Sequence, residues 1–111
     1  MAAAQYKLDN LTVIIDRNGL QIDGKVDDVM SLGNLQMKME GFGFVVDTID
    51  GHDFDQILSA LDKSCAGKPH CIIANTVKGK GVSYMENQAG WHGTAPNAEQ
   101  LAVAVADLGG K

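Results

Sequence analysis

Three residues stand out for the chemistry their side chains offer: Asn18 in DRNG, Lys78 in VKGKG and His92 in GWHG. An asparagine amide oxygen is a hard, neutral donor of the kind that Mg²⁺ or Ca²⁺ accepts. Asn-Gly is equally a common turn dipeptide, because both residues tolerate positive φ, so the ligand and turn readings of Asn18 stand side by side. Lys78-Gly79-Lys80-Gly81 offers ammonium groups and backbone N–H donors to a phosphate, or is simply a flexible loop with two solvated lysines; its spacing is not that of a P-loop. His92 sits between Trp91 and Gly93 in a long irregular stretch, and such stretches in compact domains tend to carry function. His52, just before a capping Asp53, reads as a helix-start residue, and His70, beside Pro69 at a strand start, is expected to face solvent. Cys65 and Cys71 lack metal-ligand spacing and are expected to be reduced packing thiols, Cys65 on an apolar helical face.

The elements that must position these groups follow two periodicities. LTVII at 11–15, FVVDTI at 44–49 and CIIANTV at 71–77 are short, β-branched and apolar, which predicts largely buried strands. From Asp53, residues Phe54, Ile57, Leu58, Leu61 and Cys65 recur at helical spacing, with Asp53 and Gln56 in capping-box positions and Gly67-Lys68-Pro69 beyond the end. Leu32, Leu35 and Met39 before Gly41 predict a second helix. Asn97 as cap, followed by Leu101, Ala104, Val105 and Leu108 on one face, predicts a third. The order β-α-β-α-β-α favours an α/β fold: a parallel sheet of about three strands flanked by helices, with right-handed crossovers. Ligands in such sheets sit beyond the carboxyl ends of the strands. The loops there read Asp16-Arg17-Asn18-Gly19, Asp50-Gly51-His52-Asp53 and Lys78-Gly79-Lys80-Gly81, the last continuing through YMENQAGWHGTAP.

A chain of 111 residues with 45% hydrophobic and 21% charged content suits one domain, able to bury about two-thirds of its unfolded surface. Its formal net charge is −5, without blocks of like charge, so nothing matches the basic footprint of a nucleic-acid or anionic-lipid partner. No apolar run approaches bilayer length and MAAAQYKLDN has no leader pattern, so no membrane association and a cytoplasmic location are expected.

Four ordered blocks carry a family resemblance: AAAQYKLDNLTVIIDRNGLQIDG at 2–24, EGFGFVVDTIDGHD at 40–53, KPHCIIANTVKGKGVSYMENQ at 68–88 and GWHGTAPNAEQL at 90–101. Over nearly its whole length the chain resembles the thiamine-diphosphate-binding domain of transketolase, in particular the split amino-terminal subunit type. The resemblance implies a partial three-layer fold occupying residues 1–111 as a single partial domain. It implies transfer of a two-carbon ketol unit between sugar phosphates with thiamine diphosphate and Mg²⁺. Asn18 then matches a metal-ligating asparagine, and Leu20 a residue whose carbonyl joins the metal shell. Gln21 matches a residue lining the cofactor, Lys78 a lysine near the cofactor and substrate channel, and His92 the histidine of a WHG or SHG motif touching cofactor or sugar. A histidine there suits proton transfer near neutral pH.

The sequence departs from the family pattern upstream. No Gly-Asp-Gly occurs, and neither Asp23-Gly24 nor Asp50-Gly51 stands where that motif belongs. Met1 matches an internal position of the family, so a truncated product or fragment is expected, with weak or no binding of cofactor and Mg²⁺ by itself. Partners implied are the missing amino-terminal segment, a pyrimidine-binding domain or subunit that supplies the activating glutamate, and a second copy in a homo-oligomer that covers exposed sheet edge. Asn75 stands where the family often has lysine. The alternatives are a non-catalytic α/β remnant or oligomerising fragment, or a piece of a deoxyxylulose-phosphate synthase or a dehydrogenase E1 component; GWHGTAP and VKGKGVSYMEN favour transketolase over these last two.

Overall fold

The computed structural model describes residues 1–110. In chain order its elements are α1 (Ala2–Gln5), β1 (Thr12–Arg17), β2 (Leu20–Gln21), β3 (Gly24–Lys25), α2 (Val26–Val29), α3 (Leu35–Gly41), β4 (Val45–Asp50), α4 (Phe54–Leu61), β5 (His70–Asn75), a 3-10 helix (Ala89–His92) and α5 (Ala98–Asp107). They gather into two compact units. The first comprises Met1–Arg17 with Leu32–Thr76, the second Asn18–Ser31 with the chain from Val77 onward.

The first unit is built on a three-stranded parallel sheet in the order β1-β5-β4. Thr12 and Val45 both pair with His70, and Arg17 and Asp50 both pair with Asn75, so the three strands begin and end at the same level. β5 is apolar and almost wholly buried, with Cys71, Ile72 and Ile73 at 0–2% exposure. Each large aliphatic side chain so covered contributes about 1.5–3 kcal/mol. The expectation that all three strands are largely buried holds for β5 only. β1 and β4 each lack a neighbour on one side, and Ile14 on β1 is 58% exposed. At the carboxyl ends the Thr76 hydroxyl donates to Asp16, and Gly51 N–H donates to the Asn75 carbonyl at 2.7 Å. A Cβ on Gly51 would stand 2.5 Å from the Thr76 methyl, so this close approach requires glycine.

Helices α3 and α4 pack on β4. The Asp53 carboxylate caps α4, accepting from the Asp55 and Gln56 N–H groups at 2.9 and 3.2 Å. Gln56 does not close the expected capping box; its amide oxygen accepts from the Asp50 N–H instead, and its Nε2 donates to the Asp53 carboxylate. α4 ends at Leu61, so Cys65 is buried from the following loop rather than on the helix. Both cysteines are free and buried. α3 starts after an Asn34 cap, leaving Leu32 outside it.

His70 departs from its expected surface position. It is 2% exposed, and its Nε2 lies 2.8 Å from Asp47 Oδ2. Lys63 Nζ approaches the same carboxylate, 2.7 Å from Oδ1. The first residue of a central strand is covered by its neighbours, and a carboxylate on the adjacent strand supplies the polar partner that burial demands. No helix among the described residues is long and apolar enough to cross a membrane.

Candidate functional site

The second unit holds all five residues singled out as site candidates. β1 runs to Arg17, two residues beyond the expected strand end, so the turn begins at Asn18. Gly19 adopts φ +72°, as a turn at Asn-Gly requires. The Asn18 amide oxygen accepts the Leu20 N–H at 2.9 Å, and the Gly19 carbonyl accepts the Val26 N–H at 3.0 Å. Leu20 and Gln21 then pair antiparallel with Lys25 and Gly24. Asn18 is therefore turn chemistry in fact. An amide oxygen has a second lone pair, so the turn fixes this donor without exhausting it.

Lys78 and His92 stand at opposite ends of a stretch folded on itself by its own backbone. The Lys78 carbonyl accepts the Asn87 N–H at 3.0 Å, with Asn87 at φ +57°. Gly79, at φ +72°, passes so close to Met85 that a Cβ would lie 2.6–2.8 Å from its atoms. Gly81 N–H donates to Glu86 Oε1 at 2.9 Å, and Lys80 Nζ lies 3.6 Å from the same oxygen. Val82 is buried beneath. Of the two lysines weighed as solvated from sequence, Lys80 is 54% exposed and Lys78 is half-buried.

The next residues tie this stretch to α5. Ser83 donates its N–H and hydroxyl to Asp107 Oδ2 at 2.8 and 2.7 Å. Those hydrogen bonds hold the Asp107 carboxyl below the usual carboxylate range. The Tyr84 hydroxyl donates to the Gln100 carbonyl at 2.7 Å. The Trp91 indole N–H donates to the Tyr84 carbonyl at 3.2 Å, with the two ring centroids 5.2 Å apart and tilted by 57°. α5 begins with a full capping box between Asn97 and Gln100. His92 closes the 3-10 helix directly after Trp91 and is exposed.

Asn18, Leu20, Gln21, Lys78 and His92 line one small cavity of about 30 Å³, together with Ala89. Space of that size admits about one or two waters. Ala89 was not singled out; as a small residue in a 3-10 turn it gives no chemical signal of its own. His52 is not among the lining residues; it is exposed, and its N–H donates to Asp50 Oδ1 at 2.9 Å. Among the described residues no group of three or more His, Cys, Asp or Glu side chains converges as a metal site.

A three-stranded parallel sheet flanked by helices defines an α/β domain of the kind that binds ligands through its loops. The chain belongs to the transketolase family: all of residues 1–111 match the family described as "Transketolase, thiamine diphosphate binding domain". It is 46% identical over 111 residues to an apulose-4-phosphate transketolase subunit of Phocaeicola vulgatus, an alignment covering 97% of this chain and 39% of that protein. It is 40% identical over 110 residues to 6-deoxy-6-sulfo-D-fructose transketolase subunit SqwG of a Clostridium species, covering 97% and 40%. Among solved structures, transketolase from Campylobacter jejuni superposes with a TM-score of 0.91 at 34% identity, over 99% of this chain and 17% of that one. The chain thus spans about two-fifths of the length of these curated relatives.

Proposed function

We propose that this chain supplies part of the cofactor-facing wall of a transketolase, an enzyme moving a two-carbon ketol unit between sugar phosphates with thiamine diphosphate and Mg²⁺. One observation carries the reading: Asn18, Leu20, Gln21, Lys78 and His92, from two distant stretches of sequence, line a single cavity. When bound, thiamine diphosphate supplies the electron sink for breaking and making the carbon–carbon bond. The protein groups bind and orient. The half-buried Lys78 ammonium offers positive charge to a diphosphate or sugar phosphate. Gln21 would line the cofactor, and His92, exposed at the rim, would exchange a proton with a sugar hydroxyl.

The donor set fits a shared site. The second lone pair of Asn18 Oδ1 and the Leu20 carbonyl offer Mg²⁺ two neutral oxygens, a minority of an octahedral shell. The 111 residues contain no Gly-Asp-Gly to add an ionised ligand, and the cavity admits only one edge of a cofactor. The remaining ligands would come from the diphosphate, from water and from a carboxylate on a partner segment. The pyrimidine-binding domain or subunit completes the reaction site. These residues alone are expected to be inactive. That both relatives above are named as subunits supports an assembled enzyme.

Calorimetric titration with thiamine diphosphate and Mg²⁺ tests the reading. Weak, saturable heat that Asn18→Ala abolishes is the expected result. No heat from the unaltered chain at millimolar ligand would mark it as a non-catalytic remnant.

A further inference from the structure

Twelve residues separate Lys78 from Trp91, and that stretch contains turns and the start of one 3-10 helix but no strand or α-helix. A connection of this kind would leave two cavity-lining side chains independent unless something fixes one to the other. Tyr84, near its middle, makes three distinct contacts. Its hydroxyl donates to the Gln100 carbonyl, its ring lies against Trp91, and its own carbonyl accepts the Trp91 indole N–H. Gln100 is itself held from two directions, its N–H by the Asn97 side chain and its Oε1 by the Asn97 N–H, each at 2.9 Å. A continuous chain of contacts therefore runs from the first turn of α5 through Tyr84 to Trp91, and the next residue is His92. Neither Tyr84 nor Trp91 lines the cavity.

We infer that Tyr84 and Trp91 form a positioning pair for His92, setting the imidazole against Asn18 and Lys78 without touching ligand themselves. The inference rests on the reading of this cavity as the functional site, but it concerns order within the free chain and can be decided without any ligand. Lys78 is held separately, through its carbonyl to the Asn87 N–H and through the close passage of Gly79 past Met85. Loss of the pair should thus loosen His92 and leave Lys78 in place. A tilted, hydrogen-bonded aromatic pair is stiff because each ring has only two side-chain torsions and both partners are anchored.

Backbone ¹⁵N relaxation and the imidazole Cε1–H signal of His92, measured on the full 111-residue chain without ligand, test this. The other two histidines, exposed His52 and buried His70, serve as internal references. In Tyr84→Ala the order parameters of Trp91 and His92 should fall from about 0.85 to below about 0.6, while those of Asn18 and Lys78 hold. Tyr84→Phe keeps the ring contact and loses the link to Gln100, so a smaller fall confined to the same residues is expected; it decides the matter if Tyr84→Ala does not fold. Unchanged order at His92 in the folded variants would overturn the inference. So would an equal loss of order across Lys78 and α5, because that pattern describes a merely structural tyrosine. Failure of thiamine diphosphate to bind would count against the function proposed above and would leave this result standing.

Discussion

Asp47 gathers two cationic or proton-bearing partners onto one carboxylate at the edge of the sheet. Burial pushes its carboxyl up, but hydrogen bonds from Lys63 and His70, and their charge, outweigh burial and hold it below the usual carboxylate range. A carboxyl lowered in the folded state contributes stability that is present in full above its unfolded value, near 3.8, and lost as pH falls through the folded value. Urea unfolding of the unaltered chain should therefore weaken below about pH 4. Asp47→Asn should be less stable at neutral pH and show a shallower acid limb, with Asp53 and Asp107, also held low, accounting for the remainder. Parallel acid limbs in the two proteins would dismiss this role for Asp47. The pairing was illegible in the sequence, because nothing in KPHC says that the strand it opens becomes the central one. Asn18 and Gly19 were legible as a turn, and the family resemblance pointed to Asn18 as a site candidate.

At the scale of elements, legibility followed length and capping. α4 and α5 announce themselves through repeated apolar residues and through Asp53 and Asn97, and the observed helices begin directly after those caps. α1, α2 and the β2–β3 hairpin have only two to four residues per element, too few to show any period. The cavity depends on two such short elements, β2 carrying Leu20 and Gln21 and the 3-10 turn carrying Ala89 and His92, which is why its full lining could not be listed from spacing alone. The cap of α5 bears directly on the site, since Gln100 receives Tyr84. Asn97→Ala should cost about 1 kcal/mol of unfolding free energy by chemical denaturation. It should also loosen Tyr84, read as faster exchange of the Trp91 indole proton. A variant as stable as the parent would show that the capping box contributes nothing net.

At the scale of the whole molecule, much apolar surface remains uncovered. α4 exposes Phe54, Leu58 and Leu61, α5 exposes Leu101, Val103 and Val105, and β1 exposes Ile14. Sedimentation velocity at micromolar concentration should accordingly show a dimer or larger species, and a purely monomeric boundary would refute self-association. The strand order β1-β5-β4 has a further consequence, for biosynthesis. β5 is the last strand translated and the middle one placed, and its pairing with β1 spans 58 positions of sequence. Until residues 70–75 leave the ribosome, the two earlier strands have no hydrogen-bonding neighbour in this sheet. A nascent chain stalled before that point holds β1 and β4 without the strand that joins them, a state in which a chaperone has pairing edges to protect.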